Sequence, residues 1–96
     1  MALIWSDKAL ADLFRIFEFN LGFSAERATK VQDRLVGAGH VLARRPLIGR
    51  PFAGPTVRLY SVTDIQYVIR YQIDGEDLTI LRIRHTREKG EQGERP

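Results

Sequence analysis

Two runs rich in β-branched and aromatic residues, Tyr67 to Ile73 and Leu78 to His85, flank the turn signal Asp74-Gly75. No other feature restricts the chain as much, because this is the pattern of an antiparallel hairpin. Side chains alternate across a strand, so Tyr67, Ile69, Tyr71 and Ile73 share one face of the first run, and Leu81, Ile83 and His85 share one face of the second. The other parity carries Arg70, Arg82 and Arg84. Directly opposed residues point to the same side of an antiparallel pair, so loop length decides whether the two apolar rows merge. A two-residue Asp74-Gly75 loop sets Ile69 opposite Ile80, on the face of Arg82. An odd-length loop or one bulge instead gathers Tyr67, Ile69, Tyr71, Leu81 and Ile83, and this is the preferred register. It gives the hairpin an oily side for helices. The arginine-bearing side, partly lined by Val68, Leu78 and Ile80, is left to meet a polyanion or a protein partner.

The N-terminal half supplies the cover. Ala2 to Trp5 is a short apolar strand, after which Ser6 reads as a helix N-cap, with Asp7 placed against the positive end of the helix dipole. Leu10, Leu13, Phe14, Phe17 and Leu21 recur as one buried stripe, and Gly22 is placed to close the helix in a left-handed conformation. Ser24 caps a second helix whose stripe is Ala28, Val31, Leu35, Ala38 and Leu42. The two form an antiparallel helical hairpin, weakened by Gly37 and Gly39 at about 1 kcal/mol each relative to Ala. Arg44 and Arg45 fall where Pro46 ends the second helix, as cations at a helix C-terminus. Pro46 to Thr56 holds three prolines and two glycines, a density that predicts a loop without regular structure. Val57 to Val62 is a further strand, and Thr63-Asp64 turns into the hairpin.

The fold class is therefore α+β, in the order β-α-α-β-β-β, with a helical hairpin on one face of a small, mainly antiparallel sheet. At 96 residues and 44% hydrophobic content the chain makes one domain, over residues 1–85. Residues 86–96 contain no apolar side chain and are expected to form a charged, mobile tail. The net charge of +3 is a weak vote for an acidic partner, since the excess is small and dominated by arginine. With no cysteine, disulfide frameworks and thiolate metal sites are excluded. The opening apolar run is too short for a signal-peptide core, which points to a cytoplasmic protein.

The order of elements, with Trp5-Ser6, Ala9 through Leu13, Pro46-Leu47-Ile48-Gly49-Arg50-Pro51, Val57-Arg58-Leu59, Val68-Ile69-Arg70-Tyr71 and Ile80-Leu81-Arg82-Ile83-Arg84-His85, resembles the RelE/ParE superfamily of toxins from bacterial type II toxin-antitoxin modules. The likeness runs from residue 2 to about residue 88. It implies one of two activities. ParE-like members poison DNA gyrase, whereas RelE-like members cut mRNA at the ribosome. It also implies a tight complex with a cognate antitoxin, whose acidic segment would meet Arg58, Arg70, Arg82, Arg84, Arg50, Arg44 and Arg45, while exposed apolar surface accepts a helix.

RNA cleavage through the 2′-hydroxyl needs a proton acceptor, cations against the phosphate, and a proton donor for the leaving oxygen. For proton transfer this chain offers His85, with Arg58 and Arg82 as the accompanying cations. Thr86 follows His85 where the family's nucleases tend to place an aromatic residue, and no lysine lies between Lys30 and Lys89. The ending His85-Thr86-Arg87 is more like the ParE branch, in which no catalytic set is expected. The leading reading is thus a gyrase-binding toxin; the alternatives are a ribosome-dependent endoribonuclease and a non-toxic antitoxin-binding adaptor. His40 reads as an exposed helix residue and Trp5 as core, and Gly49 to Gly54 lacks the lysine and spacing of a phosphate loop. Neither a metal nor a cofactor is expected.

Overall fold

Ser6 and Ser24 set where the helices begin. In the computed structural model, which describes residues 1–87, each serine hydroxyl accepts the backbone N–H three residues on, from Ala9 and Arg27, at 3.0 Å. The elements are β1 (Ala2–Trp5), α1 (Asp7–Leu21), α2 (Ala25–Arg44), β2 (Arg50–Ala53), β3 (Val57–Val62), β4 (Tyr67–Asp74) and β5 (Asp77–His85). One sheet runs in the order β1-β5-β4-β3-β2, with β1 parallel to β5 and every other neighbour antiparallel. The helical hairpin covers one face. No helix among the described residues is long and apolar enough to cross a membrane.

The predicted strands and helices are present, and β2 is an addition. Pro46 to Thr56 was expected to lack regular structure, yet Arg50–Ala53 pairs with β3. It can do so because β2 lies at the sheet edge, where Pro51 withholds no interior ladder bond, and because the pairing is interrupted by a register shift between Pro51 and Ala53. Gly22 also departs from expectation, taking φ −61° and ψ −20°, which is right-handed. The first helix instead ends through N–H bonds from Phe23 and Ser24 to the Asn20 carbonyl, and Ser24 turns extended to start the second.

The hairpin solves its parity problem with a bulge. A two-residue turn at Gly75-Glu76 pairs Asp74 with Asp77 and Tyr71 with Ile80; Leu81 is then passed over, and Arg70 pairs with Arg82 and Ile69 with Ile83. Leu78 and Ile80 thus join Tyr67, Ile69, Tyr71 and Ile83 in the core, correcting the expectation that they line the arginine side, and Leu81 leaves the core row as the extra residue. The second helix buries Ala28, Val31, Leu35, Ala38 and Leu42 as its spacing predicts. Gly39 is needed there, since a Cβ would lie 2.8 Å from the Trp5 ring.

The first helix is rotated from its predicted setting. Its buried residues are Ala9, Asp12, Ile16 and Asn20, with Leu13 packed beside them. Leu10, Phe14 and Leu21 remain 50%, 64% and 47% exposed. Two polar side chains take the inward face because each has work there: Asn20 bonds the Ile16 carbonyl at 2.8 Å, and Asp12 bonds the sheet.

Candidate partner-binding surfaces

Strand register places the predicted cations. Arg50 pairs with Leu59, Leu59 with Arg70, and Arg70 with Arg82, so one row crosses four strands on the face away from the helices. Arg84, opposite Val68, is on the same face. Adjacent strands lie about 4.8 Å apart, so Arg70 and Arg82 are like charges directly opposed, an arrangement that costs stability. Two contacts offset it. The Arg70 guanidinium lies 5.6 Å from the centroid of the Phe52 ring, and Arg82 is turned around the free edge of β5 to Asp12.

Asp12 is the hub of that edge. Its carboxylate is 2.9 and 3.1 Å from the Arg82 Nε and Nη2 that donate to it, 2.8 Å from the Ile83 N–H, and 2.8 Å from Arg15. Burial alone would raise its pKa, but the bonds from Arg82, Ile83 and Arg15 outweigh that and hold it below the ordinary carboxylate value.

Arg58 is on the other face. Paired with Tyr71, it points to the helix side and donates to the Gly49 carbonyl at 2.6 Å, correcting the expectation that it shares the surface of Arg70 and Arg84. The Tyr71 hydroxyl donates to the Pro46 carbonyl at 2.6 Å and accepts the Gly49 N–H at 3.0 Å, and burial pushes its pKa up. Together these bonds fix the connection from α2 to β2. A Cβ on Gly49 would lie 2.5 Å from that hydroxyl, which explains this glycine without any phosphate. Arg44 and Arg45, at the end of α2, are exposed as expected.

His85 pairs with Tyr67, again on the helix side, with its ring edge-on to the tyrosine at 5.1 Å and its Nδ1 accepting the Arg87 N–H at 3.1 Å. Arg58 is two strands away and four residues further along, roughly 16 Å between Cα atoms at the usual strand spacings. The nuclease set His85, Arg58 and Arg82 is therefore not gathered: one is beside Tyr67, one bonds Gly49, one bonds Asp12. Among the described residues, no group of three or more His, Asp or Glu stands close enough to hold a metal ion.

Sequence reasoning missed Asp12 and Phe52. Asp12 sits among apolar residues at a helical position that can face inward, the signal of a paired buried carboxylate, but the stripe reading turned it outward. That same stripe, Leu10, Phe14 and Leu21 with half-buried Phe17 between, is now an exposed apolar ridge along α1.

Relatives agree with this architecture. The family model described as "ParE toxin of type II toxin-antitoxin system, parDE" matches residues 3–90. A curated protein of Caulobacter vibrioides named "Toxin RelE2" is 39% identical over 83 residues, covering 86% of this chain and 92% of that protein. A solved structure described as "Chromosomal ParDE TA system from P. aeruginosa" superposes with a TM-score of 0.78 at 28% identity, covering 88% of this chain and 95% of that one. The helical hairpin, the five-stranded sheet and these matches place the chain in the ParE toxin family of type II toxin-antitoxin systems, within the RelE/ParE superfamily.

Proposed function

We propose that this toxin acts in the cytoplasm by binding and inhibiting DNA gyrase, and that a cognate antitoxin holds it inactive. The observation that carries this reading is the separation of the groups a nuclease would use, while Arg50, Arg70 and Arg84 stand together on one sheet face. Trapping an enzyme needs a surface of defined charge and shape; it needs no acid-base pair. The antitoxin would take the apolar ridge of α1, whose spacing suits an amphipathic helix laid alongside, and its acidic stretch would reach the arginine row.

Purified toxin added to gyrase and relaxed plasmid should block supercoiling, and antitoxin should restore it. Unchanged supercoiling at excess toxin removes the gyrase reading. Mapping transcript 5′ ends after induction tests the nuclease alternative: ribosome-phased cuts abolished by His85→Ala would replace the proposal.

A further inference from the structure

The connection from α2 to β2, Pro46 to Gly49, belongs neither to the arginine row nor to the α1 ridge. Its backbone is pinned from below. The Tyr71 hydroxyl accepts the Gly49 N–H at 3.0 Å and donates to the Pro46 carbonyl at 2.6 Å, while Arg58 Nη1 donates to the Gly49 carbonyl at 2.6 Å and to the Leu47 carbonyl at 3.4 Å. The Ile48 N–H donates to the Arg45 carbonyl at 3.3 Å. Gly49 is so closely enclosed that a Cβ would lie 2.7 Å from the Leu59 carbonyl. The two side chains between these anchors are turned out, with Leu47 67% and Ile48 37% exposed.

Single exposed apolar residues are ordinary on a protein surface. Two adjacent ones on a backbone fixed by buried bonds are different, because a partner that covers them has no loop to order on binding. Charge surrounds the pair. Arg44 and Arg45 precede it and Arg50 follows it, all exposed, and the sequence from Arg34 to Thr63 holds five arginines and no acid. The matching partner surface is an apolar recess with a carboxylate rim. Duplex DNA matches less well. Arg44 and Arg45 end the helix layer, whereas Arg50 starts a strand and points to the opposite face, so these cations do not follow one backbone track. A net charge of +3 also gives little long-range attraction to a polyanion.

We propose that this loop is the toxin's contact with its target: Leu47 and Ile48, on a backbone that Tyr71 and Arg58 hold in place, enter an acid-rimmed apolar recess on the gyrase protein. The inference rests on the gyrase reading and adds where the toxin touches the enzyme. It also gives neutralisation a route. Arg50 both closes the loop and begins the arginine row, so an antitoxin laid on that row reaches the edge of the loop and blocks it.

The double variant Leu47→Ser/Ile48→Ser tests it on the full chain, by supercoiling of relaxed plasmid, by biolayer interferometry on immobilised gyrase, and by calorimetry with the cognate antitoxin. Both side chains are exposed, so the variant should fold and keep its Tm. The toxin concentration for half-inhibition and the Kd for gyrase should each rise at least about tenfold, with antitoxin affinity unchanged. Leu47→Met keeps an apolar contact and should retain most of the inhibition. The gyrase reading is judged on the wild-type toxin alone: if that neither binds nor inhibits gyrase, the reading fails and the assignment of the loop goes with it. The loop alone is overturned if the wild type inhibits and the double variant inhibits equally, if antitoxin affinity falls as far as gyrase affinity, or if Leu47→Met is as impaired as the double variant. Leu47-dependent binding to duplex DNA without gyrase overturns it too, by making nucleic acid the occupant.

Discussion

Removing the Asp12 carboxylate should destabilise this protein more than its position on a helix suggests. In Asp12→Ala the buried Ile83 N–H loses its acceptor at 2.8 Å, a cost of about 1–3 kcal/mol. Arg82 loses both of its bonds to the same group. Breaking a buried ion pair from one side costs about 3–5 kcal/mol, but the Arg82 side chain is 23% exposed and can swing toward water, which brings the value to or below the low end. Arg15 is half exposed and adds at most about 1 kcal/mol. Because these losses overlap, the expected total is about 3–4 kcal/mol, or a fall in Tm of at least about 12 °C for a chain of this size. Urea unfolding reads it as a lower midpoint at unchanged slope. In a double-mutant cycle, Asp12→Ala with Arg82→Met should show coupling of at least about 1 kcal/mol. A loss below about 0.5 kcal/mol in Asp12→Ala, or strict additivity in the cycle, would refute the account of the β5 edge.

The same carboxylate makes stability depend on acid. Its pKa is lowered by folding, so its contribution is complete above the unfolded value of about 3.9 and is lost as pH falls through the lower folded value. Thermal unfolding from pH 5 to pH 2 should show this loss, and Asp12→Asn should flatten the profile. Tyr71→Phe leaves the Gly49 N–H and the Pro46 carbonyl without their partner, which should cost about 1–3 kcal/mol and speed amide exchange at Gly49. Phe14→Asp lies on an exposed ridge, so the monomer should keep its stability within about 0.5 kcal/mol while antitoxin affinity falls by at least about tenfold. Equal affinity in pull-down and calorimetry would move the antitoxin off α1.

How much was legible depended on whether packing or pairing made the decision. The second helix was readable because its inward stripe is apolar throughout and no polar residue competes for that face. On α1 the count of large apolar residues pointed the wrong way. Asp12 and Asn20 are buried for their bonds, a reason that periodicity does not register, while Leu10, Phe14 and Leu21 sit outside. The strand in the proline-rich connection was hidden because edge placement, which makes Pro51 harmless, is a property of the finished sheet. The arginines were right as residues and only partly right as a surface. Arg70 and Arg84 share a face as alternation predicts, whereas Arg58 crossed to the other side with the parity of β3, and Arg82 was drawn to an acid seventy residues away in sequence. The charged tail expected over residues 86–96 lies, from residue 88 on, outside the described residues.

The bulge at Leu81 lies where these features meet, at the edge of β5. Strand β1 stops at Trp5, opposite Ile80, so β5 runs on from there with an uncovered edge. Unpaired edges invite association with other chains, and proteins blunt them with bulges and inward-pointing charge. Both devices occur here within three residues. The Ser6 hydroxyl donates to the Leu81 carbonyl at 3.0 Å, Asp12 takes the Ile83 N–H, and the extra residue twists Arg82 toward Asp12. Deleting Leu81 would leave Tyr71 opposite Ile80 and Arg70 opposite Arg82, so the inward and outward rows would survive. The chain should therefore still fold, losing the Ser6 bond and part of the Arg82 bond, together about 1–3 kcal/mol. With the edge less guarded, its self-association should rise with concentration in sedimentation velocity. A deletion variant that fails to fold would show that the bulge sets the register; one that stays monomeric at wild-type stability would show that the edge needs neither device.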